Sequence, residues 1–348
     1  MDRVRRILAQ VKSLNENELR RISESLLKML GHTHGVYGVS VTQIENCRKC
    51  GGDRLVKFGK DKNGKQRYKC KCCGATFTET SFSVISRTRH SDDVWERYIK
   101  LLLVGASLGE CAYRCGISAR TAFIWRHKIL NALQKDQNNR ILAGIVEADE
   151  MFIPVSYKGN HKKSKRFVMP RAPFKRGSDN RSNKVPKACI MCAVERNGQS
   201  YGEVIGKGQP TPKMIEYAFE NRIMPDSVVL ADGAYAINKY FGEKTDVGLI
   251  RLQSTADGSR HSKIPEIRGI YHIQTVNNFH NRLNRFLRCY NGVSTKYLNH
   301  YVGLFVWIEN HKALETKLEV SLMADISKIS TYIPAGSLFD RAAVPCIA

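Results

Sequence analysis

Two pairs of cysteines near the start of the chain have the spacing of metal ligands: Cys47 with Cys50, and Cys70 with Cys73. Each Cys-x-x-Cys pair presents two thiolates from one tight turn, and two such pairs are typical of a tetrahedral Zn²⁺ site. The intervening Asn63-Gly64 favours a hairpin turn, because both residues accept a positive φ. We predict a zinc ribbon in which Cys72 is a bystander, with a shift of register to Cys72 as the alternative.

The ribbon is strongly basic. Residues 47–73 contain ten Lys or Arg and only two acids, Asp53 and Asp61. A zinc module with this charge favours a nucleic-acid partner. The alternative is a zinc site that only stabilises a small fold.

A second group with chemical potential consists of carboxylates at the ends of apolar segments. Asp149 lies near the end of a strand-like segment that begins at Ile145, and Asp232 follows the apolar run 227–231. Strand alternation places Glu147 and Asp149 on one face and Glu150 on the other. A single acid at a strand end is more often a cap. In a basic chain, however, the pair Asp149 and Asp232 favours phosphoryl transfer with two Mg²⁺ (or Mn²⁺) ions, with Glu147 as an accessory ligand.

Helical patterns precede these strands. Residues 1–40 form an N-terminal helical segment with no specific chemistry, and the ribbon occupies residues 41–82. Residues 88–138 then read as a helix, a glycine-bearing turn and a second helix capped by Ser118, which is the helix-turn-helix pattern. We expect this second helix to expose DNA-binding cations, with an ordinary helical hairpin as the alternative: Arg120, Arg126 and Lys128.

The pattern changes to strands and helices in residues 140–312, which predicts an α/β (mixed) catalytic domain in a multi-domain chain. This domain contains a basic insertion, residues 158–187, with eleven Lys or Arg and one acid, Asp179. Such a segment favours a nearby polyanion over a merely solvated loop. Residues 313–348 form a C-terminal tail. The candidate phosphate contacts in the insertion are Lys158, Lys162, Lys163, Lys165 and Arg166.

The composition limits the class of partner. The chain has 348 residues, a formal net charge of +24 and a pI of about 9.7. This excess favours nucleic acid over a membrane surface, and no apolar run is long enough to span a bilayer. The N-terminus lacks the apolar core of a signal peptide. Apart from the four predicted zinc ligands, the cysteines lie mostly in helical or strand-like segments, which indicates reduced thiols in a cytoplasmic compartment.

Several of these segments together resemble the ISXO-type insertion-sequence transposases of the DDE superfamily. The resemblance covers roughly residues 41–310 and is far more specific than any single Cys-x-x-Cys pair. Its motifs are the ribbon end Arg67-Tyr68-Lys69-Cys70, the helix Trp125-Arg126-His127-Lys128, Glu147-x-Asp149-Glu150, Lys158-Gly159-Asn160-His161-Lys162, Asp232, Val276-Asn277, and Asn291-Gly292-Val293-Ser294-x-Lys296-Tyr297-Leu298.

The resemblance implies an RNase H-like catalytic domain that holds Mg²⁺ on Asp149, Asp232 and a third residue. That third position is Glu in most DDE enzymes and can be Asn in this group, and here Asn277 occupies it. Asn284 stands two helical turns later, where relatives often carry Lys. The implied partners are double-stranded DNA, as terminal inverted repeats and target DNA, and further copies of the chain in a homo-oligomer on DNA, at the bacterial nucleoid.

Two other classes remain open on the residues alone. A DNA-binding regulator, or a decayed copy whose catalytic domain is only a scaffold, would bind DNA without cutting it. An RNA-binding ribbon protein would prefer single-stranded RNA, but the sequence shows neither an RNP motif nor an evident aromatic stacking platform.

Overall fold

The structure is a computed structural model. It describes the following residues, to which every structural statement below refers: 44–47, 49–61, 66–78, 81, 83–86, 88–137, 140–159, 186–196, 198–252, 255–256, 263–264, 266–312 and 317–328. They fall into two compact units. One contains the described residues up to Asp93 together with those from Leu322 onward, and the other contains those from Val94 to Ser321.

The first unit contains a small antiparallel sheet in the region of the predicted zinc ribbon. Its strands are β1 (Leu55–Lys60), β2 (Gln66–Cys70) and β3 (Thr76–Thr78), in the order β1-β2-β3. Its small core consists of Cys47, Cys70 and Phe77, with Tyr68 packed against it. Two cysteines in so small a core indicate that the apolar side chains alone do not hold this unit together.

The second unit begins with three helices, α1 (Asp92–Leu103), α2 (Leu108–Cys115) and α3 (Ala119–Gln137). The Ser107 hydroxyl accepts a hydrogen bond from the N–H of Glu110 and caps α2, which ends at Gly116 with a left-handed φ of 63°. Gly116 tolerates this φ because it has no Cβ. The Ser118 hydroxyl accepts from the N–H of Thr121 (3.0 Å) at the start of α3, as the sequence predicted.

A five-stranded mixed sheet forms the centre of the second unit. Its strands are β4 (Ile145–Pro154), β5 (Lys187–Glu195), β6 (Ser200–Lys207), β7 (Val228–Ala231) and β8 (Gly248–Arg251). Their order is β6-β5-β4-β7-β8; β4, β5 and β6 pair antiparallel, whereas β7 runs parallel to both β4 and β8. This order and these directions are those of the RNase H-like fold.

Helices cover both faces of the sheet. On one face, α4 (Pro212–Phe219) and α5 (Tyr235–Gly242) share a core with the apolar side chains of β4, β5 and β7. On the other lie α6 (Gln274–Cys289) and α7 (Thr295–His311). A Cβ on Gly202 of β6 would lie 3.0 Å from Val302 of α7, so glycine allows this helix to approach the sheet closely.

Helix α3 packs against α7, and from Val94 onward the helical region predicted at residues 88–138 shares one compact unit with the sheet domain. The ring of His127 lies 4.1 Å from that of Tyr297, and the ring of Phe123 lies 5.8 Å from it. The remaining elements are β9 (Thr255–Ala256), β10 (Lys263–Ile264) and α8 (Leu318–Lys328). No helix in the described ranges is long and apolar enough to cross a membrane.

Candidate active site

The register of two neighbouring strands brings the predicted aspartates together. Strand β4 runs parallel to β7, with Val146 opposite Val229 and Glu147 opposite Leu230. Continuing this register by two residues places Asp232 beside Asp149. The Asp232 carboxylate then accepts a hydrogen bond from the N–H of Ala234 (2.8 Å), which fixes it in the turn that follows β7.

Glu150 completes the cluster, although strand alternation had placed it on the opposite face. One carboxylate oxygen from each of Asp149, Glu150 and Asp232 lies within 4.8 Å of the others. β7 ends at Ala231, so the side of β4 next to Glu150 has no neighbouring strand at this level. The two acids can therefore turn towards the same point. The feature of the sequence that could have indicated Glu150 is its position next to Asp149, at the point where β4 extends beyond its partner β7.

Repulsion among the three carboxylates favours the binding of a cation between them. Burial, followed by the charges of Asp232 and Glu150, raises the pKa of Asp149 to about 8. Burial and the charge of Asp232 also raise the pKa of Glu150. The Oε2 atom of Glu150 is buried and has no hydrogen-bond partner among the described residues. Carboxylate oxygens are the ligands that Mg²⁺ and Mn²⁺ prefer, so this donor set fits such an ion.

Glu147 has a different role from the accessory metal ligand that the sequence suggested. Its side chain is fully buried, and Oε2 accepts from the N–H groups of Thr275 (2.7 Å) and Val276 (3.0 Å) in the first turn of α6. Oε1 accepts from Arg196 Nε (2.7 Å) and from the Thr275 hydroxyl (2.8 Å). Both oxygens are therefore occupied. Glu147 caps α6 and fixes this helix to β4.

The capped helix presents a polar face towards the acids. His280 on α6 has its Nδ1 atom 3.8 Å from Asp149 Oδ2, and burial lowers its pKa to about 4 against the opposing effect of Asp149. His280 is therefore neutral at pH 7. Asn277 is exposed and lies one turn earlier on the same face, where side chains are about 5–6 Å apart at Cβ. Asn284, also exposed, lies one turn after His280. Helical spacing from Asn277 puts His280 on this face, but the sequence analysis did not predict its contact with Asp149.

The two cysteine turns of the ribbon repeat the same geometry. In each, the N–H of the glycine after the second cysteine donates to the carbonyl of the first: Gly51 to Cys47 (2.8 Å) and Gly74 to Cys70 (2.9 Å). Both glycines have a left-handed φ, 76° and 70°. The N–H of Cys72 donates to the Cys70 sulfur (3.3 Å), as that of Lys49 does to the Cys47 sulfur (3.4 Å). Cys72 thus corresponds in position to a non-ligand lysine.

The four ligand sulfurs are at distances that suit one ion. Cys47 Sγ lies 3.7 Å from Cys73 Sγ, and Cys50 Sγ lies 3.7 Å from Cys70 Sγ. Four sulfurs bound tetrahedrally at about 2.3 Å from Zn²⁺ are about 3.8 Å apart. All four sulfurs lie within 4.8 Å of one another, and Cys72 does not belong to this set. The residues present fit zinc.

The cations predicted on α3 differ in exposure. Arg120 is exposed, as expected, whereas Lys128 is half-buried and burial lowers its pKa. The prediction that Arg126 is exposed is wrong: only 2% of it is accessible. Its Nη2 atom donates to the carbonyl of Ala106 (2.7 Å) and contacts the sulfur of Cys111 (3.2 Å). Arg126 joins α3 to the turn before α2.

The basic insertion is described only at its two ends. Lys158 is exposed, and its Nζ donates to the carbonyl of Asn291 (2.5 Å) and contacts that of Tyr290 (3.4 Å), both just after α6. The other predicted phosphate contacts lie outside the described residues: Lys162, Lys163, Lys165 and Arg166.

Comparison with solved structures gives weak likenesses. The pre-cleavage Mos1 transpososome is 12% identical, with 71% of this chain and 81% of that chain covered and a TM-score of 0.25. The Mos1 mariner paired end complex with Mn is 13% identical, with 71% and 81% covered and a TM-score of 0.26. Scores this low carry no argument about this chain. No curated protein matches it significantly.

Comparison with protein families gives a definite result. Residues 141–310 match the ISXO2-like transposase domain. The matched range contains β4 to β8, α6 and α7, and with them every acid of the cluster and the polar face of α6. Residues 141–310 therefore form an ISXO2-like transposase domain.

Proposed function

We propose that the protein is an active transposase, which binds the terminal inverted repeats of its element and catalyses metal-dependent DNA cleavage and strand transfer. The observation that carries the proposal is the cluster of Asp149, Glu150 and Asp232, held at one end of two parallel strands within a transposase domain. Asp149 and Glu150 are partly buried with a raised pKa, and Oε2 of Glu150 has no hydrogen-bond partner among the described residues, whereas both oxygens of Glu147 accept from protein groups.

The catalytic residues have distinct tasks in this proposal. Asp149, Glu150 and Asp232 hold Mg²⁺ or Mn²⁺, and Asn277 offers an uncharged amide oxygen as a further ligand. When bound, two such ions activate the attacking oxygen and stabilise the leaving oxygen of an in-line displacement. Neutral His280 lies beside Asp149 and adds no charge to the acid cluster. Glu147 fixes the start of α6 and so determines where Asn277 and His280 lie.

Two successive displacements at phosphorus account for cleavage and transfer. Water attacks a phosphodiester at the end of the element and releases a 3′-hydroxyl. That 3′-hydroxyl then attacks a phosphodiester of the target DNA, so one bond forms and one breaks in each step. Because positioning and charge stabilisation dominate such reactions, the chain needs no covalent nucleophile of its own.

Binding is assigned to the basic elements. The zinc ribbon, with Zn²⁺ on Cys47, Cys50, Cys70 and Cys73, and the α2–α3 helices bind the repeat, with Arg120 as the exposed cation on α3. Lys158, Lys162, Lys163, Lys165 and Arg166 contact phosphates. Arg126 and Lys128 are not proposed as contacts with the duplex surface, because they are buried or half-buried. Two copies of the chain would bring two element ends together in a homo-oligomer.

The test uses duplex DNA from the ends of the element, identified as inverted repeats that flank the gene. With Mn²⁺ the wild-type protein should nick this duplex at the repeat end. Asp149→Asn and Asp232→Asn should bind it with unchanged affinity and cut it at least about 10³-fold more slowly. Asp246→Asn makes the same chemical change at an exposed acid of the same unit and should cut normally.

The same experiment distinguishes an active transposase from a protein that only binds DNA. A DNA-binding regulator or a decayed copy would bind the repeat and leave it intact in the wild-type protein. Asn277 and Asn284 favour this reading, since neither supplies the charge of the Glu and Lys found in other enzymes of this type. Binding without cleavage in Mg²⁺ and in Mn²⁺ would therefore overturn the proposal.

A further inference from the structure

A cavity of about 470 Å³ opens beside α3 in the second unit, and none of the three clustered acids lines it. We call it the α3 pocket and define it by Phe123, Arg126, His127, Lys158, Tyr290 and Tyr297. Its volume is in the range of small-molecule and cofactor sites. Neither cleavage nor strand transfer, as derived above, uses this pocket.

Aromatic rings line the α3 pocket in two groups. Phe123, His127 and Tyr297 pack on one another, with ring centroids 4.4 Å apart for Phe123 and His127 and 4.1 Å apart for His127 and Tyr297. Tyr290 and Tyr301 form a second group, with centroids 4.7 Å apart. Rings grouped in this way favour a flat aromatic ligand, because such a ligand can stack its face on them. This stacking depends on the flat aromatic face and not on which aromatic group carries it.

The charge of the α3 pocket is entirely positive, and it is graded with depth. Arg126 is 2% exposed, Lys296 is half-buried, and Lys158 is exposed. None of the described residues that line the pocket is acidic. An aromatic ligand that fits this cavity should therefore also carry negative charge.

Arg126 supplies the independent sign of a ligand. Its Nε atom is buried without a hydrogen-bond partner, and no described carboxylate forms an ion pair with its guanidinium. Burial opposes its charge, but the neighbouring Tyr301 and Tyr98 hydroxyls raise its pKa, so it stays charged. An unpartnered N–H on a buried guanidinium is costly, and a hydrogen-bond acceptor that enters the pocket would offset that cost.

The surroundings of the α3 pocket indicate where the ligand comes from. Ser107 and Leu108 at the start of α2 line one side, and Lys158, the first residue of the basic insertion, lies on another. Both elements belong to the proposed DNA-binding surface. DNA that follows this surface would present nucleotides at the opening of the pocket.

We propose that the α3 pocket binds one nucleotide, base and phosphate together, that has left the stack of the bound DNA duplex. The base stacks against Phe123, His127 and Tyr297, and the phosphate is neutralised by Lys158 and Lys296 near the opening. Arg126 donates to an acceptor on the base edge. This inference rests on the proposed function, because it requires that DNA be the partner.

The test exploits the cost of unpairing a base. A mismatch is moved one position at a time along the repeat-end duplex, and the affinity of each duplex is measured. At the position whose base enters the pocket, a mismatch should tighten binding by about tenfold. A mismatched base is not paired with its partner, so the protein does not have to break that base pair when the base leaves the duplex. An abasic site at that position should lose the gain, and 2-aminopurine placed there should change its fluorescence on binding.

Two variants on α2 connect this effect to the pocket. Leu108→Trp fills the cavity and should abolish the gain at the mismatch, whereas Tyr113→Trp, an exposed position on the same helix, should keep it. Lys296→Ala is a second test that adds no bulk to the core. It should reduce the gain in affinity at the mismatch. Circular dichroism checks that each variant is folded.

The outcomes separate this inference from the proposed function. If the wild type binds and cuts the duplex but no position shows the gain, or if Leu108→Trp keeps it, the pocket does not take a DNA nucleotide. If thymidine or deoxyadenosine monophosphate binds the wild type and not Leu108→Trp, while no DNA position responds, the ligand is a free nucleotide and the inference is wrong. If the duplex is neither bound nor cut, the proposed function fails as well.

Discussion

At the scale of single residues, Glu147 and Glu150 lie three positions apart on β4 and have opposite environments. Both oxygens of Glu147 accept hydrogen bonds, whereas Oε2 of Glu150 has no partner among the described residues. One carboxylate is thus satisfied by protein groups, and the other remains available to a cation. This difference leads to a prediction in which the same chemical change has contrasting effects.

We expect Glu150→Gln to abolish metal-dependent cleavage and to leave the metal-free protein as stable as the wild type or more so, because it removes a repelling charge. Glu147→Gln should lower the free energy of unfolding by about 3 kcal/mol, because it removes one partner of a buried ion pair with Arg196. Urea unfolding and a nicking assay measure the two effects. Full cleavage by Glu150→Gln would show that this carboxylate is not a ligand.

Individual residues show how much of the site could be predicted from the sequence. Asp149 and Asp232 were predictable, since each follows an apolar run and strands that end together bring such side chains together. The environments of Glu147 and Glu150 were not, because alternation predicts the face from which a side chain leaves a strand, and not whether a neighbouring strand keeps side chains of the two faces apart. Where β7 ends, β4 loses that constraint. The burial of Arg126 was also unpredictable, since it depends on packing against Tyr290 and Tyr301 from distant parts of the chain.

At the scale of elements, the ribbon was the most predictable part of the molecule. Its two Cys-x-x-Cys turns are local, and their glycines and N–H···S hydrogen bonds follow from a few adjacent residues. The packing of α3 on α7 was not predictable in the same way. The two helices lie far apart in sequence, and their contact depends on aromatic rings that could equally have packed elsewhere.

The repeated geometry of the ribbon gives a second prediction. Cys70→Ser should release the zinc and lower the unfolding temperature of the ribbon, because the core of this unit is small and includes Cys70 itself. Cys72→Ser changes a neighbouring cysteine that occupies the position of Lys49, and it should keep one Zn²⁺ per chain. Elemental analysis of the two purified variants checks this. Zinc loss from Cys72→Ser would favour the shifted register.

At the scale of the whole molecule, the net charge of +24 is distributed unevenly along the sequence. The insertion at residues 158–187 has eleven cations and one acid, and it leaves β4 just beyond the acid cluster. A strongly basic segment attracts a polyanion, and this one follows in the sequence the strand that carries Asp149 and Glu150. The charge therefore bears on binding and orientation of DNA, and not on the fold.

The final prediction measures this contribution through salt dependence. Each phosphate neutralised by a cation adds about 0.9 to the slope of log affinity against log salt concentration. Replacing Lys162, Lys163, Lys165 and Arg166 by alanine should therefore reduce the slope for duplex binding by about 3 to 4 if each contacts one phosphate. The loss should be similar for specific and random duplexes, because phosphate contacts carry no sequence information.

A control with the same change of charge uses exposed lysines on or near α4 and α5, across the sheet from α6: Lys207, Lys213, Lys239 and Lys244. Alanine at these four positions should leave the slope nearly unchanged, since short-range phosphate contacts and not net charge alone determine it. Equal reductions in the two variants would show that the insertion acts only through the overall field. In that case Lys158 and its neighbours would steer DNA towards the acids without holding it there.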